Sequence, residues 1–175
     1  MTTLGIVCVK TESKRFPGKN FKTYKGLSLW EGSVETLWNC PAVDKVIVCS
    51  DSSNVEAQCS VDHIWQPLYS TGGDSTITDM LRYAYMAHNK YCEYIVTIFA
   101  NAINHTSEDV QEAHKLIREA KLQEVRGYNK DSGVENGLIM VTRDRLLNGS
   151  STGFSSYLGA ILTNGKEVHS KEELF

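Results

Sequence analysis

Four short apolar runs recur along the chain. They lie at residues 4–9, 45–49, 94–99 and 137–142. Their near-continuous Val, Ile and Leu content is typical of strands buried on both faces of a parallel sheet. Amphipathic segments with helical periodicity lie between them. These segments cover residues 29–38, 77–85 and 110–120. The alternation predicts an α/β fold, a three-layer sandwich with a mainly parallel sheet.

Polar residues mark some boundaries of these elements. Thr106, followed by the first-turn acids Glu108 and Asp109, predicts a helix start. Asp51 is interpreted as the N-cap of a helix over residues 52–59, with a site carboxylate as the alternative. The polar, turn-rich residues 127–135 predict an excursion from the sheet rather than a second domain. A chain of 175 residues suits one domain, and we assign residues 1–175 to it.

Loops at the carboxyl ends of parallel strands carry the ligand-binding residues in open α/β sheets. Here those loops are residues 10–20, 50–51 and 100–105. The segment Gly-Gly-Asp-Ser at residues 72–75 opens the next helix. Asp74 and Ser75 are therefore predicted to lie where amide N–H groups face a ligand.

The first of these loops contains the octapeptide Ser-Lys-Arg-Phe-Pro-Gly-Lys-Asn at residues 13–20. Pro17 and Gly18 shape the backbone, and Lys19 can reach a phosphate as a point charge. A solvated cluster of surface charges is the alternative interpretation. The loop is not a P-loop, because G-x-x-x-x-G-K-[ST] needs glycine at Ser13 and a hydroxyl residue at Asn20.

Composition narrows the function classes. The chain is 41% hydrophobic and 22% charged, with a net charge of −3, so nothing forces a broad basic face for nucleic acid. The five cysteines are scattered and include no C-x-x-C pair, which favours buried thiols over zinc. No apolar stretch approaches the roughly 20 residues of a membrane helix, and no signal peptide is apparent. We expect a reducing, cytoplasmic location.

A possible hydrolase motif and the positions of the histidines give weaker evidence about function. Residues 149–153 formally match G-x-S-x-G, but charged residues precede them where a hydrolase needs a strand. A flexible Gly/Ser loop is the better interpretation. The five histidines show no metal-binding spacing. His114 lies on a helix face and is interpreted as structural, whereas His105 lies in a strand-end loop.

The octapeptide and the segments after it resemble the acylneuraminate (CMP-sialic acid) cytidylyltransferases, whose first motif is S-K-R-x-P-G-K-N. Later segments resemble the family's other motifs in the same order. They lie at residues 45–51, 73–76, 106–110, 135–140 and 168–174. The resemblance covers nearly the whole chain and implies a nucleotide-diphospho-sugar transferase-like (Rossmann-like) fold. The first motif is specific, and the later ones are individually weak.

The resemblance also implies a reaction. A hydroxyl of an acidic sugar attacks the α-phosphate of CTP, pyrophosphate leaves, and Mg²⁺ assists with ligands that remain unassigned. Lys19 would contact the triphosphate, with Lys10 as a second catalytic cation, and Gly18 would form part of the nucleotide loop. Ser13, Lys14 and Arg15 would shape the pocket, and Asn20 would lie near the base or ribose. The candidates for acceptor binding are Asn101, His105 and Asn136.

Three residues depart from the family pattern. Lys10 replaces an arginine and loses its bidentate fork on phosphate. Phe99 stands where a sugar-site glutamine is expected. His169 stands where a metal-binding carboxylate is expected, and a neutral imidazole is a poor Mg²⁺ ligand. The chain also lacks about 40 family residues near residues 123–136, a segment that helps to build the acceptor pocket and the dimer.

These observations leave two hypotheses. The first is an active cytidylyltransferase-like enzyme, a nucleotidyltransferase of the CMP-sugar synthetase type, which would form a homodimer by resemblance. The second is a catalytically degenerate nucleotide-binding relative with a regulatory or assembly role. The intact octapeptide favours the first, whereas Phe99, His169 and the shortening favour the second.

Overall fold

A computed structural model describes residues 2–11, 16–66, 76–149 and 157–174. The strands are β1 (Thr3–Val9), β2 (Thr23–Tyr24), β3 (Leu27–Ser28), β4 (Lys45–Ser50), β5 (Asp62–Trp65), β6 (Tyr94–Ile98), β7 (Ala102–Ile103), β8 (Glu124–Asn129), β9 (Glu135–Thr142), β10 (Leu158–Thr163) and β11 (Lys166–Glu167). The α-helices are α1 (Leu29–Trp38), α2 (Ser53–Gln58), α3 (Ile77–His88), α4 (Ser107–Glu119) and α5 (Arg143–Asn148). All four strands and all three helices predicted above are confirmed.

Seven strands form the central sheet, in the order β10-β8-β9-β6-β1-β4-β5. β1 pairs in parallel with β4 and β6, β4 pairs in parallel with β5, and β10 pairs in parallel with β8. β9 runs antiparallel to both β6 and β8. The prediction of a mainly parallel sheet is confirmed, and the carboxyl ends of β1, β4 and β6 meet at one edge.

Helices cover both faces of the sheet and give the three-layer sandwich. On one face α1 and α4 pack against the strands through side chains such as Trp30, Leu37 and Ile117. On the other face α3 and α5 contribute Leu81 and Leu146, among others. Alternate residues of the central strands are buried against opposite helix layers, which explains why these strands are apolar almost throughout.

The prediction that residues 127–135 leave the sheet is wrong at both ends. Residues 127–129 belong to β8, and Glu135 opens β9. β8 has no apolar alternation, because one of its faces carries Glu124, Arg126 and Tyr128. Ion pairs between these side chains and their neighbours make such a polar strand compatible with the sheet. The elements β5, β10 and α5 were also absent from the sequence prediction.

Helix α4 begins at the predicted cap. The Thr106 hydroxyl accepts a hydrogen bond from the Asp109 N–H, and the Asp109 carboxylate accepts one from the Thr106 N–H. Burial alone would raise the pKa of Asp109, but the nearby His105 ring and the hydrogen bonds with Thr106 outweigh it and lower the pKa. The Asp109 carboxylate is therefore more acidic in the folded chain than in the unfolded one.

We expect acid to weaken the fold partly through Asp109. Its folded-state pKa is depressed, so its contribution is present above the unfolded value of about 3.9 and is lost as the pH falls through the folded pKa. Asp109→Asn should cost about 1 kcal/mol at pH 7 and less at pH 3. Urea unfolding between pH 7 and 3 measures this, with Asp131→Asn in an exposed turn as the control. An equal loss at both pH values would contradict it.

Candidate active site

The carboxyl ends of β1 and β4 are tied together by side chains. The Ser50 hydroxyl donates to the Val9 carbonyl over 2.8 Å. The Thr11 N–H and hydroxyl both donate to the Asp51 carboxylate, over 3.0 and 3.1 Å. These bonds fix the first part of the 10–20 loop against the neighbouring strand.

Asp51 therefore does not cap the helix after β4, and that prediction is wrong. The N-cap of α2 is Ser52, whose hydroxyl accepts from the Val55 N–H. The helix itself is where it was predicted, with bounds one residue shorter at each end. The Asp51 carboxylate instead accepts hydrogen bonds from Thr11, so its role is to hold the loop.

A tight turn forms the second part of the 10–20 loop. The Lys19 N–H donates to the Phe16 carbonyl, and Gly18 adopts the left-handed conformation with φ 65°. Proline at the second position and left-handed glycine at the third are typical of a type II turn, in which a side chain at the glycine position is strained. The Pro17–Gly18 pair thus sets the direction in which Lys19 leaves the turn.

Asn20 connects this turn to the end of β1. Its Nδ2 donates to the Lys10 carbonyl over 2.9 Å, and only 6% of the residue is exposed. Its buried Oδ1 has no hydrogen-bond partner among the described residues. Asn20 therefore fixes the backbone of Lys10 relative to Lys19, and the described residues leave one of its acceptor atoms unused.

Four of the predicted site residues line one open depression at this edge of the sheet. They are Lys10, Lys19, Asn20 and Asn101. The depression has a volume of about 210 Å³, and the other described residues that line it are Cys8, Ile77, Met80, Phe99 and Ala100. It combines two cations with amide groups and an apolar floor, which suits an anionic ligand that also carries an apolar or aromatic part.

Phe99 forms an apolar wall of the depression, at the position where the acylneuraminate motif has the amide side chain of a glutamine. Its position depends on Gly137 of β9, which has φ 87°. A Cβ atom at Gly137 would lie 3.0 Å from the Phe99 Cβ and 3.1 Å from its Cγ. Phe99 is thus packed against the β9 backbone and belongs to both helix–sheet cores.

Asn101 joins the depression to a later part of the chain. Its Nδ2 donates to the Val168 carbonyl over 3.0 Å, and the Val168 N–H donates to the Asn101 carbonyl over 2.8 Å. The same Nδ2 lies 3.4 Å from Oε2 of Glu167, and Nε2 of His169 lies 3.5 Å from that oxygen. Glu167 is thus a carboxylate beside the depression that the sequence analysis missed, two residues before the expected position.

His105 and Asn136 lie in a separate, buried polar cluster and do not line the depression. The His105 Nε2 is 2.8 Å from the Asn136 carbonyl, and the Asn136 Nδ2 donates to the Thr163 hydroxyl over 2.9 Å. Asn136 is fully buried. In this arrangement both side chains hold β7, β9 and β10 together.

Gly165 leaves room for the His105 ring, so Gly165→Ala should destabilise the fold by about 1–3 kcal/mol. A Cβ atom at Gly165 would lie 2.1 Å from the ring Cε1. The matched control is Gly32→Ala in α1, where a Cβ atom would meet nothing within 4 Å and alanine favours the helix. Urea unfolding of both variants checks this, and equal stabilities would contradict it.

The Cys8 thiol at the depression is held in its neutral form. Its register partner across β1 and β4 is Cys49. A hydrogen bond with Cys49, together with burial, raises the pKa of Cys8 well above its ordinary value. A protonated thiol is a weak nucleophile, so Cys8 serves as part of the apolar floor.

The remaining predicted residues lie outside the described part of the chain. These are Ser13, Lys14, Arg15, Asp74 and Ser75, and the serines of the 149–153 motif share this status. Among the residues that the structure does describe, no three His, Cys, Asp or Glu side chains are arranged to hold a metal ion. None of the described helices combines the length and apolar character that crossing a membrane requires.

Comparison with known protein families finds a match to a family of nucleotide-using enzymes. The model of a family described as cytidylyltransferase matches residues 4–98, more than half of the chain, including the 10–20 loop and β1, β4 and β6. The chain therefore belongs to the cytidylyltransferase family. Curated protein sequences give no significant match.

Solved structures agree on the fold. A CMP:2-keto-3-deoxy-manno-octonic acid synthetase complexed with CTP has a TM-score of 0.79 at 14% identity, with 99% of this chain and 95% of that chain covered. A cytidylyltransferase from Leptospira borgpetersenii has a TM-score of 0.72 at 11% identity, covering 99% and 83%. The 4-diphosphocytidyl-2C-methyl-D-erythritol synthase from Anaerococcus prevotii has a TM-score of 0.66 at 9% identity, covering 99% and 93%. These likenesses confirm the nucleotide-diphospho-sugar transferase-like fold.

Proposed function

We propose that this protein transfers CMP from CTP to a hydroxyl group of an acidic sugar and releases pyrophosphate. The observation that carries the proposal is the convergence of Lys10 and Lys19 in one depression, at the strand edge where such folds bind nucleotides. Family membership supports cytidine triphosphate as the donor. The acidic sugar follows the acylneuraminate resemblance, and the likeness to a synthetase for 2-keto-3-deoxy-manno-octonic acid points in the same direction.

The two lysines would stabilise the negative charge that develops during the reaction. In nucleotidyl transfer, negative charge grows on the leaving pyrophosphate, and fixed cations stabilise it best when they need no rearrangement. The Asn20 bond to the Lys10 carbonyl and the Pro17–Gly18 turn supply that pre-arrangement. The Oδ1 of Asn20 has no hydrogen-bond partner among the described residues and is suited to accept one from a hydroxyl or amino group of the nucleotide.

The acceptor would bind on the Asn101 side of the depression. The Asn101 amide and the exposed part of Glu167 offer hydrogen bonds to sugar hydroxyls, whereas the Phe99 wall packs against apolar carbon atoms. Because a phenylalanine replaces the family's glutamine, the acceptor should make fewer polar contacts here than a sialic acid would make in a typical relative. The burial of His105 and Asn136 supports a structural role for both.

We also propose that Mg²⁺ is the metal of this site. Mg²⁺ in nucleotide enzymes is commonly held by one or two carboxylates and the substrate phosphates, so a three-residue protein cluster is unnecessary. Glu167 approaches the depression through its contact with Asn101 and would be the protein ligand. When bound, Mg²⁺ would neutralise phosphate charge.

The five free cysteines support our proposal of a reducing, cytoplasmic location.

Two measurements test the proposed function. The first is the thermal stabilisation of the protein by CTP and by UTP, with Mg²⁺ present. The second is pyrophosphate release from CTP across a panel of acidic sugars and polyol phosphates. We expect stabilisation by CTP and release with at least one acidic sugar.

Each result separates the alternatives. Stabilisation without release from any acceptor would favour the catalytically degenerate relative, for which Phe99 and His169 are the structural reasons. Absence of stabilisation by either nucleotide would contradict the nucleotide site itself. Release with polyol phosphates alone would contradict the acidic acceptor while leaving the nucleotidyltransferase assignment in place.

A further inference from the structure

A second cavity lies at the amino end of β6, away from the depression. It has a volume of about 230 Å³ and lies between the end of α3, the turn before β6 and the start of α5. We call it the Arg143 pocket, and its lining includes Tyr85, Met86, Lys90, Tyr91, Arg143 and Leu147. The depression lies at the other end of β6, and a strand of five residues spans about 16 Å. The two cavities are therefore separate sites.

Arg143 is held in place by two tyrosines. Its Nε donates a hydrogen bond to the Tyr85 hydroxyl over 3.0 Å, and its guanidinium carbon lies 5.4 Å from the centre of the Tyr91 ring. Its backbone N–H donates to the Glu93 carbonyl over 2.9 Å. Ordering a long side chain costs free energy on binding, and here that cost is largely met within the fold. The guanidinium is therefore arranged before any ligand binds.

The Tyr85 hydroxyl retains a hydrogen-bond donor. It accepts from the Arg143 Nε and also from the Cys92 N–H, over 3.5 Å. Both of its hydrogen bonds to described residues thus use the oxygen as an acceptor. A phenolic oxygen that accepts two hydrogen bonds still carries one O–H to donate. This O–H is suited to a ligand oxygen in the pocket.

The positive charge of the Arg143 pocket is not balanced by an acidic side chain. Neither Arg143 nor Lys90 forms an ion pair within the described part of the chain, and none of the described lining residues is acidic. Arg82, Arg126 and Arg145 differ, because each of them forms an ion pair with a carboxylate. The Arg143 Nη atoms also make no hydrogen bond to a described residue. Two cations without a counter-charge favour an anionic ligand.

Apolar side chains lie next to these cations and are exposed. Tyr91 is 70% exposed and Met86 is 60% exposed, and Leu147 also lines the pocket. Asn89 ends α3 in the left-handed conformation, with φ 53°, and this turn brings Lys90 and Tyr91 to the pocket beside the helix. Exposed apolar surface next to fixed cations is typical of a site for a ligand with an apolar body.

We propose that the Arg143 pocket binds an organic anion in which a carboxylate or phosphate group is attached to a ring. The Arg143 Nη atoms would bind two oxygens of the anion side by side, as guanidinium groups commonly do. The Tyr85 hydroxyl would donate a third hydrogen bond, and the Lys90 ammonium would balance the remaining charge. The ring would pack against Met86 and Leu147. The proposal does not depend on the proposed function, because none of these residues lines the depression.

A site-resolved titration by NMR tests the proposal. The probes are phenyl phosphate and phenylacetate, with benzyl alcohol as the neutral analogue. The anions should shift the Arg143 Nε–H signal and the backbone N–H signals of residues 89–91, with a dissociation constant of about 1 mM or lower, as expected for ligands of this size. Benzyl alcohol should shift neither. Binding by one anion alone would support the proposal and identify the anionic group.

Four variants separate a built site from general surface charge. Arg143→Gln should weaken the binding of phenyl phosphate about tenfold or more, because charged hydrogen bonds are lost. Arg118→Gln, on the exposed surface of α4, is the matched control and should change binding less than about twofold. Tyr85→Phe changes no charge, yet it should weaken binding about threefold or more, because it removes a donor and releases the guanidinium. Lys19→Ala should leave binding at the Arg143 pocket unchanged.

Four results would overturn the proposal. They are the absence of shifts at the Arg143 pocket with both anions, equal binding of benzyl alcohol, equal binding of inorganic phosphate, and equal losses in Arg143→Gln and Arg118→Gln. Melting temperatures show whether the variants fold. If Arg143→Gln does not fold, Lys90→Ala at an exposed position replaces it, with an expected loss of about threefold or more. Lys115→Ala on α4 is then the control and should bind like the unaltered protein.

Discussion

Replacing Lys19 by alanine should weaken CTP binding about 10- to 100-fold. The loss of a hydrogen bond to a charged group costs about 1–3 kcal/mol, and each 1.4 kcal/mol is a factor of ten. Lys19 lines the depression and its backbone is fixed by the Phe16–Lys19 turn, so only the side chain has to be ordered when it meets a phosphate. Titration calorimetry with CTP and Mg²⁺ measures the change.

The control for Lys19 is Lys22→Ala. Lys22 lies three residues further along, is exposed, and its ammonium lies 5.9 Å from the centre of the Phe16 ring rather than in the depression. It should change CTP binding less than threefold, which is the scale of a screened surface charge. If both variants lost affinity equally, Lys19 would contribute only to the general surface field, and the assignment of the depression would be wrong.

Removing the Glu124 carboxylate should destabilise the fold by about 3 kcal/mol. Its side chain is 7% exposed and bridges two arginines: Oε1 accepts from the Arg126 Nε, and Oε2 accepts from the Arg145 Nε over 3.0 Å. The Arg145 side chain is only 18% exposed, and its Nη1 has no hydrogen-bond partner among the described residues. Glu124→Ala would leave this guanidinium buried without a counter-charge, which is the costly case for buried ion pairs.

The matched control for Glu124 is Glu135→Ala. Glu135 binds the same Arg126 but is 47% exposed, and solvent screens its ion pair. Its removal should cost at most about 1 kcal/mol. Urea unfolding gives both values. Equal costs would show that burial of Glu124 does not determine the strength of this network.

The sequence predicted the parts of the fold that depend on local pattern. Strands β1, β4 and β6 are buried on both faces, so each could be recognised in the sequence as a continuous apolar run. β8 was missed because Glu124 is buried with partners, Arg126 and Arg145, of which one is 21 residues away. A polar strand that depends on such pairs has no local signature, and β10 next to it has the exposed apolar pattern of an edge.

The residues of the candidate site were also predicted only where they belong to a local sequence motif. Lys19 and Asn20 were found because they belong to one contiguous motif, and the structure brings both together with Lys10 and Asn101. Glu167 was missed because its relation to Asn101 arises from pairing between β7 and β11, 65 residues apart in sequence at Ala102 and Glu167. Motif matching placed the expected carboxylate at His169. Only the strand pairing in the structure shows that the carboxylate near Asn101 is Glu167.

The bonds between Asn101 and Val168 have a consequence for how the protein is made. The two residues are separated by 67 positions, and each donates a hydrogen bond to the other. During synthesis the octapeptide turn and β1 leave the ribosome early, whereas the wall that contains Asn101 gains these two bonds only after Val168 has emerged. A nascent chain should therefore form the part of the depression that contains Lys10 and Lys19 before the part that contains Asn101, whose two bonds need Val168 to have been synthesised.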